Sequence, residues 1–157
     1  MIWSEREAHR ITKACALIEH GVAGQPGKWA DLGCGDGVFT SALCTLLSEE
    51  AVIYAVDKNR RRLRALEHNT AESYPTANIN TVRADFTRSL PLPPLDGIVM
   101  ANSLHFVKRK LSALRQICEK LKPTGRFIVI EYNTNAGNYA VPYPFDEREF
   151  IRLANST

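Results

Sequence analysis

The stretch Lys28–Leu43, KWADLGCGDGVFTSAL, constrains this chain more than any other part of it. Lys28 to Leu32 reads as a short strand, and Gly33, Gly35 and Gly37 follow at once, three glycines within five residues. Val38 or Phe39, Ala42, Leu43, Leu46 and Leu47 then line one face of a helix. Glycine between a strand and a helix allows positive φ and removes the Cβ that would block a ligand. The free N–H groups at the start of the helix point at whatever sits there. A tight turn alone needs one glycine, so three of them predict a seat for a ligand.

Strand and helix signals alternate along the rest of the chain. Ser4 and Glu7, in capping-box spacing, open a helix carrying Ala8, Ile11, Cys15 and Ile18, which Gly21 ends before the turn GQPG. Ala51–Val56 is a nearly continuous apolar strand, the kind covered on both faces. Asn59 caps a helix with Leu63, Leu66 and Thr70 that ends near Pro75. The third strand, INTVRA, is more polar and is expected near an edge. Leu95–Ala101 is the fourth, after the loop TRSLPLPP. A helix from about Lys108 to Leu121 presents Leu111, Leu114, Ile117, Cys118 and Leu121, and Pro123 and Gly125 punctuate a turn into the fifth strand.

Such alternation predicts βαβ units, hence an α/β, Rossmann-like doubly wound sheet of five parallel strands with helices on both faces. The 157 residues suit a single domain, 1–157. Hydrophobic residues at 45% and charged residues at 24% argue against disorder. A formal charge of +3 neither demands nor excludes a nucleic-acid partner. Cys15, Cys34, Cys44 and Cys118 show no C-x-x-C or His/Cys spacing, so no metal site is expected. With a charged start and no apolar run of the roughly 18 residues a span needs, the expectation is a cytoplasmic protein with reduced thiols and no membrane segment.

Ligands of doubly wound sheets bind beyond the C-terminal ends of the strands, where strand order reverses. The loops there begin at Gly33, Asp57, Asp85, Asn102 and Glu131. The dinucleotide fingerprint G-x-G-x-x-G has its third glycine where this chain has Val38, and no Gly-Lys-Ser/Thr of a P-loop follows. Asp31 and Asp36 flank the turn with negative charge, which repels pyrophosphate and suits a cationic ligand. Asp57 lies 24 positions beyond Gly33, close to the roughly 20-residue separation of an acid that accepts from ribose hydroxyls. It also suits a helix cap for the residues after it. Asp85 beside Phe86 offers an acceptor and an aromatic face for adenine, although Phe86 also suits a core.

ADLGCGDG, YAVDKN, RADF, LDGIVMANSLHFV and LKPTGRFIVIEY, in this order, resemble the successive motifs of the class I S-adenosylmethionine-dependent methyltransferases. The likeness runs from about Ala30 to Tyr132. It implies S-adenosylmethionine as cofactor, with Asp31, Gly33, Cys34, Gly35 and Gly37 facing its methionine part and Asp57, with Lys58 beside it, at the ribose. It further implies Asp85 and Phe86 at the adenine and Asn102 beside the sulfonium.

Methyl transfer is an in-line displacement whose main demand is positioning, and a base is required only when the acceptor must lose a proton. His105 and Tyr132 are the candidates for that role, each equally suited to a structural one. Ala101-Asn102-Ser103-Leu104 departs from the Asn/Asp-Pro-Pro-aromatic segment of amino methyltransferases acting on nucleic-acid bases, which disfavours adenine methylation.

Two basic clusters, Lys58, Arg60, Arg61, Arg62 and Arg64, and Lys108, Arg109 and Lys110, start helices on the strand-end side. They read as solvated charge or as contacts for an acidic substrate or RNA. FDEREFIRLA reads as a helix, after which the antiparallel strand pair that completes the family's sheet is missing. That leaves open a truncated form, or pairing of two copies across the fifth strand. A small-molecule acceptor is the first expectation. RNA or protein methylation is the second, and an NAD-type nucleotide-binding protein or an inactive methyltransferase-like fold the third.

Overall fold

Each strand that the apolar runs predict is present, and each runs parallel to its neighbours. The computed structural model describes residues 4–22 and 26–157. Its strands are β1 (Lys28–Leu32), β2 (Val52–Asp57), β3 (Asn78–Arg83), β4 (Leu95–Ala101) and β5 (Leu121–Ile130), in the order β3-β2-β1-β4-β5. The helices are α1 (Glu5–Val22), α2 (Val38–Leu46), α3 (Arg60–Ser73), α4 (Lys110–Cys118) and α5 (Glu147–Ala154), with a 3-10 turn at Leu104–Phe106. Strand order reverses between β1 and β4, and polar β3 is an edge, as its composition predicts.

Residues alternate between the two sheet faces, and the alternation sorts the helices. Trp29, Ile53 and Val99 pack with Ala14, Ile18 and Val22 of α1 and with Ala42 and Leu43 of α2. Ala55 on the same face meets Leu63 and Leu66 of α3. Ala30, Leu32, Val56, Ile98 and Met100 face the other way, onto Leu114 and Ile117 of α4, Leu90 and Leu92 of the long loop, and Phe145. Both faces are therefore covered, which is why β1, β2 and β4 read as apolar runs. Trp29 stands opposite Gly97 on β4. A Cβ on Gly97 would come within 2.4 Å of the indole ring, so the large residue requires the small one.

The capping box is formed: Ser4 Oγ donates to Glu7 Oε2 at 2.7 Å and accepts from Glu7 N at 3.3 Å. Asn59 caps α3 by accepting from Arg61 N and Arg62 N. Gly21, expected to end α1, instead lies inside its last turn. A Cβ there would sit 2.6 Å from Ile128 Cδ1, so its glycine serves the close approach of α1 to β5. Of the GQPG turn, Gly24 and Gln25 lie outside the described residues.

Helix α4 is shorter than its stripe predicts, beginning at Lys110 and ending at Cys118, and Leu121 belongs to β5. The turn at Pro123 and Gly125 is an interruption within β5. Leu121 pairs with Leu95 and Arg126 with Gly97, so the residues between them bulge away from Asp96. Lys122 closes the bulge through a 2.7 Å ion pair with Asp96. Helix α5 forms where FDEREFIRLA predicts it, capped by Asp146. Among the described residues the sheet has five strands and β5 is its other edge.

Candidate functional site

A cavity of 460 Å³ opens over the C-terminal ends of β1 to β4. Gly33 contributes from β1, Asp57, Lys58, Asn59 and Arg62 from β2 and the start of α3, and Asp85, Phe86 and Thr87 from beyond β3. Asn102, Ser103, Phe106 and Val107 close it on the β4 side. This is the size range of small-ligand sites, at the switch point where open α/β sheets bind them.

The glycine loop owes its shape to backbone. Gly33, Gly35 and Gly37 have φ of 78°, 55° and 88°, values that L side chains rarely adopt. Gly33 N and Cys34 N both donate to Val56 O, at 2.8 and 3.0 Å, so the loop folds back over the end of β2. A Cβ on Gly33 would meet Ser103 Cβ at 2.8 Å, and one on Gly37 would meet Leu66 at 2.9 Å. The close packing against a neighbouring element that Val38 cannot provide is thus supplied by Gly37.

Asp57 is nearly buried and joins two loops. Its Oδ2 accepts from Gly35 N at 3.0 Å and its Oδ1 from Asn59 N at 2.7 Å. It braces the turn into α3, whose N-cap is Asn59, and it also lines the cavity. Asp85 accepts from the backbone and the hydroxyl of Thr87, at 3.0 and 2.7 Å. The Thr87 hydroxyl bond chiefly holds the Asp85 carboxyl below the usual carboxylate range. Phe86 lies beside it in the wall, half-buried, and also packs on the core.

Other expected contacts do not reach the cavity. Asp31 is 2% exposed and sits beneath the loop, where Thr40 Oγ1 of α2 donates to it at 2.7 Å. Burial raises its carboxyl to about 7, against hydrogen bonds from Thr40 that lower it. Cys34 packs among Ala55, Leu63 and Leu66, and burial pushes its thiol up. Gly35 and Gly37 shape the loop without lining the cavity. Asp36 is exposed and pairs with Arg10 at 2.9 Å.

The catalytic candidates are also displaced. His105 is buried, its Nδ1 donating to Glu131 Oε2 at 2.6 Å, and it does not line the cavity. Tyr132 is 56% exposed beside it, outside the lining, with ring centroids 6.0 Å apart. Of the basic residues, Lys58 and Arg62 line the cavity, while Arg60, Arg61, Arg64, Lys108 and Arg109 are exposed. Lys110 is not surface charge. It is 7% exposed, donates to Val107 O at 3.1 Å and lies 5.1 Å from the Phe145 ring centroid, because the segment after β5 folds over it.

Sequence reasoning took Glu131 only as the start of a loop. Its side chain is 6% exposed, and Oε1 accepts from the backbone N–H of Ser103, Leu104 and His105 at 2.8, 2.7 and 3.3 Å. An acid closing the apolar run RFIVI was the available signal, the same signal that drew attention to Asp57.

The donor and acceptor set suits an adenine nucleoside. Asp57 and Asp85 offer carboxylate acceptors, Phe86 and Phe106 offer ring faces, and Gly33 leaves the floor without a side chain. Residues 27–151 match the model of a family described as "Methyltransferase domain". The chain is 30% identical over 127 residues to the ubiquinone/menaquinone biosynthesis C-methyltransferase UbiE of Azotobacter vinelandii, covering 80% of this chain and 49% of that protein. It thus spans about half the length of the curated relatives it matches.

In fold it is similar to the YcgJ protein of Bacillus subtilis, with a TM-score of 0.76, 15% identity, and 92% and 67% of the two chains covered. It is likewise similar to a SAM dependent methyltransferase of Aquifex aeolicus, with a TM-score of 0.72, 19% identity, and 94% and 85% covered. A family match over that span, on this fold, makes the chain a member of the methyltransferase domain family, as a class I S-adenosylmethionine-dependent methyltransferase domain.

Proposed function

We propose that this domain transfers the methyl group of S-adenosylmethionine to a carbon atom of a small-molecule acceptor. The observation that carries the reading is the cavity itself, with Asp57, Asp85 and Phe86 facing one space over the switch point. The carbon acceptor is suggested by the name of the Azotobacter relative. A carbon nucleophile must be electron-rich, so an enolate or a phenol-activated ring carbon is the acceptor chemistry that fits.

When bound, S-adenosylmethionine supplies a methyl group on a sulfonium leaving group. Asp57 would accept from the ribose hydroxyls with the lone pairs that Gly35 and Asn59 leave free. Asp85 would accept from the exocyclic amine of adenine, and Phe86 and Phe106 would flank the ring. Asn102, just beyond β4 in the cavity lining, would meet the methionine part. Asp31 acts from below by holding Thr40 and the start of α2.

His105, committed to Glu131, is not the base in this reading. The acceptor loses its proton to solvent or to a group beyond the cavity lining.

Calorimetric titration with S-adenosylmethionine, S-adenosylhomocysteine and NAD tests the proposal. Binding of the two sulfur nucleosides without NAD is the expected result. NAD binding in the absence of methyl-donor binding overturns it.

A further inference from the structure

The wall of the cavity on the β4 side is a loop with no regular ladder to hold it. Asn102 N still donates to Ile130 O at 2.8 Å, and the chain then turns through a φ of 49° at Asn102, the single non-glycine residue with positive φ among the described residues. The next three N–H groups, of Ser103, Leu104 and His105, converge on one oxygen, Glu131 Oε1. Successive backbone N–H groups around one point form a nest that favours an anion. Here a carboxylate of the same chain fills the nest.

The other oxygen of Glu131 takes the His105 ring, and His105 O accepts from Tyr143 N at 3.0 Å, so the segment beyond β5 is drawn into the same assembly. Ser103 in turn donates through Oγ to Leu32 O at 3.0 Å and presses on the bare Cα of Gly33.

We propose that Glu131 is a positioning residue for the cofactor site, acting through the Asn102–Phe106 loop and with no contact to ligand. Without its carboxylate, three inward N–H groups and the His105 ring lose their acceptor. Ser103 is then free to leave Leu32 and Gly33, and Asn102 and Phe106 lose their placement at the cavity. His105 is the side-chain partner that fixes the orientation of Glu131. The assignment rests on reading the cavity as the S-adenosylmethionine site.

The test compares Glu131→Ala, Glu131→Gln and Ile117→Ala with the unaltered protein. Ile117 lies on α4 in the core cluster that also holds Leu104, and it makes none of the hydrogen bonds of the nest, so its truncation loosens the core beneath the loop while leaving Glu131 and its donors in place. Each protein is titrated with S-adenosylhomocysteine at a temperature where circular dichroism shows all to be folded, and amide exchange is followed at residues 103–105. The expected result is at least tenfold weaker binding in Glu131→Ala and partial rescue in Glu131→Gln, which keeps one acceptor oxygen. Ile117→Ala is expected to bind within twofold of the unaltered protein, and exchange protection at residues 103–105 to fall in Glu131→Ala alone.

Binding by Glu131→Ala within twofold of the unaltered protein overturns the proposal, as does an equal loss in Ile117→Ala. If the unaltered protein fails to bind S-adenosylhomocysteine, the reading of the cavity is what fails. Amide exchange then still decides whether Glu131 holds the loop, and unchanged protection in Glu131→Ala overturns it.

Discussion

Asp31 gives the sharpest quantitative expectation. Its carboxyl is 2% exposed, and burial raises its pKa from 3.8 to about 7. In the unfolded chain the group is an ordinary aspartate. Between those two values the folded protein therefore holds a proton that the unfolded chain has released. The resulting stability is fully present below pH 3.8 and is lost as pH rises to about 7. The loss amounts to about 4 kcal/mol when complete, at 1.36 kcal/mol per pH unit.

Asp31→Asn removes the titration and keeps an oxygen to accept from Thr40. Urea unfolding of both proteins from pH 4 to pH 8 isolates the effect, because every other group titrates alike in the two and cancels in the difference. The variant is expected to gain on the unaltered protein steadily up to about pH 7, then to hold a constant lead. A difference independent of pH would refute the account of Asp31 as a buried group that ionises at a cost. The same linkage reaches function: a sulfonium ligand favours the ionised carboxylate, so its binding near pH 6 releases protons, as calorimetry in buffers of different ionisation enthalpy would show.

Gly33→Ala combines a φ of 78° with a Cβ placed 2.8 Å from Ser103, and is expected to cost about 2–4 kcal/mol in denaturant unfolding. Gly35→Ala has a similar φ but meets nothing nearer than 3.6 Å, so only the backbone strain of about 1–2 kcal/mol applies; equal losses at the two sites would contradict the steric argument. Asp57→Ala removes a charged acceptor and should weaken S-adenosylhomocysteine binding by at least tenfold in calorimetry, corresponding to about 1.5–3 kcal/mol. Lys122→Ala opens a partly exposed pair and should cost no more than about 1 kcal/mol. Asp96→Ala should cost more, because Asp96 also accepts from Lys28 N at 2.8 Å; thermal unfolding ranks the two.

The architecture was legible because it rests on local signals. Apolar runs gave the strands, Ser4 with Glu7 and Asn59 gave helix starts, and polar β3 gave an edge. The misplaced elements depend on contacts distant in sequence. Gly21 looks like a helix end until Ile128 of β5 comes against it, and Pro123 and Gly125 look like a turn until Asp96 draws Lys122 across the bulge. Lys110 belongs to a basic cluster by sequence. It becomes a buried residue only because the segment carrying Tyr143 and Phe145 returns over α4.

The four acids at or just beyond strand ends show why a site is harder to read than a fold. Asp31, Asp57, Asp85 and Glu131 all mark the same edge of the sheet, yet only Asp57 and Asp85 face the cavity. For Asp31 the answer was available from parity: it lies two residues beyond Trp29, so both side chains leave β1 on the face that α1 and α2 cover. A carboxylate on that face is buried under the glycine loop, and its charge acts through the loop. Glu131 offers no such rule, because its partners are backbone N–H groups of a loop whose path is set by Asn102, and sequence does not display backbone direction. Asp57 has both features at once, bonding backbone on one side and facing the cavity on the other. A carboxylate at a strand end therefore first satisfies the stray N–H groups gathered there, and only the acid with capacity left over can also serve a ligand.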